Sequence, residues 1–156
     1  KVLPDAGKRE APGEGLSWRS RPAPYKRRRR SVEWGLMLVR LTKTFGFEAA
    51  HSLPTFPEGH KCRRLHGHSF RFDVVVEGEV DPAKGYLIDY GQIKQIAEPL
   101  VRQLDHYHLN EVPGLENPTS ENLARWIWDR LKPSLPQLST VVVYETCTSA
   151  CEYRGG

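Results

Sequence analysis

Cys62-Arg-Arg-Leu-His-Gly-His68 is the stretch from which the rest of the chain can be read, because its two histidines set a parity. Forward from His66 and His68 the even positions continue as Phe70, Phe72, Val74 and Val76, while Arg71, Asp73 and Glu77 are polar. Residues two apart share one face of a strand, so the histidines stand at the entrance of an inward-facing apolar row, roughly 6 to 7 Å apart. Upstream, Val39, Leu41, Phe45, Phe47, Ala49 and His51 are all odd-numbered, and His51 therefore ends the apolar face of a second strand. Two neighbouring strands with histidines at the same end bring three imidazoles to one point.

Three histidines with no fourth protein donor form the ligand set of a catalytic zinc site, since closed structural sites use four ligands, commonly thiolates. A lone His-x-His on a strand is ordinarily incidental. Here a third histidine of matching parity, a cysteine four residues before the pair and a glycine between the two point to metal. Gly67, without a side chain, lets another backbone or a ligand come close to the strand.

A chain of 156 residues is long enough for one domain with an ordinary core. No stretch approaches the roughly 18 apolar residues of a membrane-spanning helix, and no signal-peptide pattern opens it. Its three cysteines are an odd number, which fits a reducing compartment and a cytoplasmic protein better than a disulfide framework. The net charge of +4 is unevenly placed: residues 1–36 carry +6, ten Lys or Arg against four Asp or Glu, which leaves −2 for residues 37–156. A basic chain suggests a nucleic-acid partner, but here the charge belongs to one end, and none is required.

Residues 1–36 are rich in Pro, Gly and Arg, include Lys26-Arg-Arg-Arg-Arg30 and show no periodicity, so a disordered basic tail is expected. The only methionine is Met37, just before the periodic sequence begins. Translation is therefore expected to start there naturally, with the upstream stretch a non-native extension; an RNA-binding or targeting arm is the alternative. The domain proper is 37–156. Its first strand runs from Leu38 to His51 and its second from about Ser69 to Val80, after a Pro- and Gly-containing loop. Asp81-Pro-Ala-Lys-Gly85 is turn chemistry, followed by a short extended Tyr86–Asp89.

Asp89 and Gln92 resemble a capping box, and Ile93, Ile96, Ala97, Leu100, Val101 and Leu104 recur at helical spacing. Pro99 should kink that helix. Thr119 or Ser120 caps a second helix whose apolar face is Leu123, Ala124, Ile127, Trp128 and Leu131. Trp126 falls off that stripe, where it could face a partner subunit. Strands Ser139–Thr148 and Ala150–Arg154 close the chain. The order β-β-α-α-β-β gives an α+β fold, an antiparallel sheet with two helices on one face.

Lys61, Arg63 and Arg64 surround Cys62 with positive charge that favours thiolate, which suits a general base. Asp105-His106 can orient an imidazole for proton transfer, though adjacent residues need not bond each other. His106 and His108 can equally be loop histidines. Glu145 shares parity with Val141 and Val143, and a half-buried carboxylate needs a donor. Either a ligand with two parallel N–H groups, such as a pterin or guanine edge, or an arginine would satisfy it. Cys147 and Cys151 read as strand packing.

Phe47-Glu-Ala-Ala-His51, Cys62-x-x-x-His66-Gly-His68, Leu104-Asp-His106, Leu109-Asn110, Asn117-Pro-Thr-Ser-Glu-Asn122 and Tyr144-Glu-Thr-Cys-Thr148 together resemble the 6-pyruvoyl-tetrahydropterin synthase superfamily. More closely, they are similar to its bacterial 6-carboxy-5,6,7,8-tetrahydropterin synthase branch, of queuosine biosynthesis; three residues separate the cysteine from His-Gly-His, against five in the pyruvoyl-forming relatives. The resemblance spans about residues 39–155.

It implies the tunnelling fold, in which three subunits close their sheets into a barrel and two rings stack as a homohexamer with active sites at subunit interfaces. It also implies Zn2+ on His51, His66 and His68, Cys62 as proton-abstracting base, and His106 with Asp105 as relay. Glu145 would hold the pterin and share in the relay, and Thr119 and Ser120 would border the ring. The implied substrate is 7,8-dihydroneopterin triphosphate, converted to 6-carboxytetrahydropterin with release of acetaldehyde and triphosphate. Lys61 and Arg64, near in sequence, could offset the triphosphate charge. The competing enzyme reading is pyruvoyl-tetrahydropterin synthase. A competing reading of another class is a noncatalytic zinc protein that binds RNA through Arg27 to Arg30.

Overall fold

A computed structural model describes residues 35–156. The basic stretch expected to be a tail or extension falls almost wholly outside the described residues. Within them the order is β1 (Leu38–His51), β2 (His66–Glu79), α1 (Tyr90–Leu104), β3 (Tyr107–His108), α2 (Ser120–Leu131), β4 (Leu138–Thr146) and β5 (Ser149–Tyr153).

The sheet order is β3-β1-β2-β4-β5. β1 and β2 form one long antiparallel ladder in register from Leu38 opposite Glu79 to His51 opposite His66. β4 pairs antiparallel with β2, and β5 with β4. The expectation of a purely antiparallel sheet is corrected by β3, which lies parallel to β1 through Ala49–Tyr107 and Ala50–His108. A two-residue strand carries too little pattern to be seen in sequence. It forms because the chain leaving α1 is drawn alongside β1 by the His106 amide, which donates to the Glu48 carbonyl at 2.6 Å.

Both helices pack on the face that holds the even-numbered row of β2. Phe72, Val74 and Val76 meet Val141 and Val143 of β4 there, all without solvent exposure. Ile93, Ala97 and Leu104 of α1 and Leu123, Ile127 and Leu131 of α2 close the core from above. Each large side chain fully buried in this way contributes about 1.5–3 kcal/mol. The helix α1 continues through Pro99, and its N-cap Asp89 accepts from the Gly91 amide at 2.9 Å. Gln92 meets the cap through its backbone N–H to the Asp89 carbonyl.

Trp126 does not face outward. It is 4% exposed, its indole N–H donates to the Pro113 carbonyl at 3.0 Å, and the Arg130 guanidinium lies 3.6 Å over its ring. It pins the loop before α2 inside its own chain, which corrects the partner-facing expectation. The helix-free face of the sheet is polar. There Thr44 and Tyr144 both donate to the Asp73 carboxylate, at 2.6 and 3.0 Å, and Ser69 donates to Glu48 at 2.8 Å.

Candidate active site

The β1–β2 register places His51 opposite His66 and Ala49 opposite His68, so three imidazoles meet at one end of the ladder. Their ring centroids are 4.5 Å (His51–His66), 5.2 Å (His51–His68) and 5.0 Å (His66–His68) apart. Gly67 sits between them because a Cβ there would come within 3.1 Å of the Ala49 carbonyl oxygen.

His51 is fully buried. Its Nδ1 lies 3.0 Å from the Pro118 carbonyl, and His66 Nδ1 lies 2.7 Å from the Arg64 carbonyl. A carbonyl can only accept, so each Nδ1 carries the proton and each Nε2 keeps its lone pair. The Nε2 atoms of His51 and His68 are buried with no hydrogen-bond partner among the described residues. Burial holds the His51 pKa below its ordinary 6.5, which keeps the ring in the neutral form a metal needs.

Glu145, on β4, reaches the same point. Its Oε1 is 3.2 Å from His68 Nε2 and 3.7 Å from His51 Nε2. The first approach lacks hydrogen-bond alignment, which leaves His68 Nε2 unpaired despite the distance. Ligand atoms of His51, His66, His68 and Glu145 all lie within 4.8 Å of one another. The orphaned, buried Nε2 atoms of His51 and His68, with the His51 and His66 tautomers fixed by carbonyls, fit a zinc ion, which takes imidazole and carboxylate donors. Beside the three histidines expected as ligands, the structure brings the Glu145 carboxylate to the same point.

Lys61, Cys62 and Arg64 line a cleft of about 480 Å³ together with His66, His68 and Glu145. Its size suits a small bicyclic ligand. Cys62 is reduced and half-buried. Arg63 is committed elsewhere, donating to the Phe56 carbonyl at 3.0 Å, so Lys61 and Arg64 are the cations that border the cleft with the thiol.

Asp105 and His106 do bond each other, Oδ2 to Nδ1 at 3.0 Å. The other carboxylate oxygen accepts the Glu48 amide at 2.9 Å, and that hydrogen bond first, then His106, holds the Asp105 carboxyl below its ordinary 3.8. His106 has φ 62°, the left-handed region, just past the end of α1. His106 lines a second cleft, of about 500 Å³, with Glu48, Gly67, Ser69 and His108. The two clefts share His68 alone among their lining residues. Within one chain the structure therefore gathers Cys62, Glu145 and the histidine cluster, and sets Asp105 and His106 apart from the thiol.

Thr119 and Ser120 have separate parts. Thr119 caps α2, accepting the Asn122 amide at 3.3 Å, whereas Ser120 donates to Glu145 Oε2 at 2.9 Å. Sequence reasoning missed the Pro118 carbonyl and the Ser120 to Glu145 bond. The compact Asn-Pro-Thr-Ser run was the available signal, but its backbone role is invisible in side-chain identities. A further cleft of about 480 Å³, lined by apolar residues including Met37, Val39, Leu41 and Leu87, lies at the opposite end of β1, away from the histidines.

The fold and site define a pterin-synthase type of enzyme, and comparison with known proteins agrees. The sequence model of the 6-pyruvoyl tetrahydropterin synthase family matches residues 40–156. The 6-carboxy-5,6,7,8-tetrahydropterin synthase of Synechocystis sp. is 50% identical over 117 residues, covering 71% of this chain and 89% of that protein. The dihydroneopterin monophosphate aldolase of Pyrococcus furiosus is 39% identical over 100 residues, covering 64% and 81%. The solved structure of the Caenorhabditis elegans 6-pyruvoyl tetrahydropterin synthase superposes with a TM-score of 0.71 at 28% identity, covering 78% of this chain and 98% of that one. The chain belongs to the 6-pyruvoyl tetrahydropterin synthase family and is an enzyme of the lyase class.

Proposed function

We propose that the chain is a zinc-dependent lyase that converts 7,8-dihydroneopterin triphosphate and water to 6-carboxy-5,6,7,8-tetrahydropterin, acetaldehyde and triphosphate, in queuosine biosynthesis. The observation that carries this reading is the set of four converging donors beside a cleft that also holds a free thiol. Similarity to the Synechocystis protein supports the carboxy-forming reaction over the others of the family.

When bound by His51, His66 and His68, zinc supplies positive charge that stabilises oxygen anions on the substrate side chain. Cys62, as thiolate, takes a proton from a side-chain carbon. The His106 imidazole, held by Asp105 at 3.0 Å, delivers or removes protons on the other side of the substrate. Glu145 accepts the paired N–H groups of the pterin edge, and Ser120 fixes the plane of that carboxylate. Lys61 and Arg64 offset the charge of the triphosphate.

Because Cys62 and His106 line separate clefts, a site that uses both draws them from two copies. Among the described residues the outer edge of β1 is paired only at Ala49 and Ala50, and β5 ends the sheet on the other side. These two edges support closure of the sheet into a trimeric ring and a homohexamer of two rings.

Purified protein incubated with dihydroneopterin triphosphate is expected to release acetaldehyde and triphosphate in equal amounts. Triphosphate without acetaldehyde would instead establish the pyruvoyl-forming elimination.

A further inference from the structure

β1 ends at His51, and beyond it no sheet ladder holds the chain. The next residue, Ser52, is held by one side chain from 58 residues away. Asn110 Oδ1 accepts the Ser52 amide at 2.8 Å, and Asn110 Nδ2 donates to the Ser52 carbonyl at 2.8 Å. The same Nδ2 donates to the Glu116 carbonyl at 3.2 Å. Glu116 leads two residues later to Pro118, whose carbonyl receives the His51 Nδ1 proton. Thr55 reinforces the strap by donating to Asn117 Oδ1 at 3.2 Å.

Asn110 thus closes a ring that begins and ends at His51. One side tethers the backbone just past the imidazole, and the other tethers the loop whose carbonyl sets that imidazole's tautomer. Only a side chain with both an acceptor and an –NH2 group can make these three bonds. Aspartate would offer oxygen to two carbonyls, and alanine would make none. His68 needs no such device, because it sits inside the ladder opposite Ala49, and His66, at the end of the ladder like His51, is held by the Arg64 carbonyl of its own segment at 2.7 Å.

We propose that Asn110 is a positioning residue for His51, setting the angle and tautomer of the buried imidazole at the metal cluster. The proposal rests on the reading of that cluster as a zinc site. Groups that orient a ligating histidine typically alter metal affinity 10- to 100-fold when removed.

The test uses the full chain stripped of metal, with zinc affinity measured by competition against a chromophoric chelator and Co2+ absorption spectra recorded alongside. Asn110→Ala and Asn110→Asp are compared with Val76→Ala, a core truncation in β2 ten residues from His66 and on the order of 30 Å along the strand. Both Asn110 variants are expected to bind zinc about 10- to 100-fold more weakly and to shift the Co2+ bands, while Val76→Ala lowers the melting temperature and changes neither. If Asn110→Ala does not fold, Asn110→Asp and Asn110→Ser carry the comparison. Folded Asn110 variants with unaltered affinity and spectra would overturn the proposal alone. An unaltered chain that binds no zinc would overturn the metal reading and this proposal together.

Discussion

The hydroxyl of Ser120 donates to Oε2 of Glu145 at 2.9 Å, bridging the first turn of α2 to the end of β4. Because Thr119 already caps the helix, Ser120 is free for this bond. The bond places the carboxylate at the positive end of the helix dipole. With Oε2 held, Oε1 is left toward His68 and His51.

Ser120 and Thr119 should therefore separate function from stability. Ser120→Ala is expected to lower kcat/KM by about tenfold to a hundredfold, the loss of a hydrogen bond to a charged group worth about 1.5–3 kcal/mol. Thr119→Ala should cost about 1 kcal/mol of stability and leave kcat/KM nearly unchanged. Steady-state kinetics with chemical denaturation checks both, and the opposite pattern would assign Ser120 to the cap.

Cys62→Ala is expected to keep zinc and lose turnover, whereas His66→Ala should lose both. Metal analysis beside a product assay decides this. Full turnover in the Cys62 variant would remove the thiol from the mechanism.

His106 occupies the left-handed position past the end of a helix, which glycine fills most easily. Holding a side chain there costs about 1–2 kcal/mol. His106→Gly should therefore be more stable than His106→Ala by about 1 kcal/mol, while both lose turnover. Equal stability of the two would show that the backbone is unstrained.

The Asp105 carboxyl is held below its ordinary 3.8 by the Glu48 amide. With the folded pKa below the unfolded one, the unfolded chain binds more protons in the interval between them. The stabilisation is complete above about 3.8 and is lost as pH falls through the lower, folded value. Asp105→Asn should flatten the acid side of the stability curve in that window; a slope matching the unaltered chain would contradict this.

Parity made the long strands and the histidine cluster readable, since each apolar row signals its face residue by residue. β1 came out with its observed ends because its pattern runs from Val39 to His51 with a single break at Lys43. β3 did not, because two residues carry no period and its pairing depends on a backbone hydrogen bond from His106. Glu145 was legible as a half-buried carboxylate in need of a donor, but its approach to the histidines depends on how β4 aligns beside β2. The bonds of Pro118 and Asn110 were hidden for a similar reason: one is a carbonyl, and the other a polar residue in a loop.

The separation of Cys62 from the Asp105–His106 pair has a genetic consequence. If each working centre takes its thiol from one polypeptide and its imidazole from a neighbour, two individually dead mutants can rescue each other when co-assembled. Chains lacking Cys62 mixed evenly with chains lacking His106 would rebuild about a quarter of the centres in a symmetric ring, whereas neither parent alone would rebuild any.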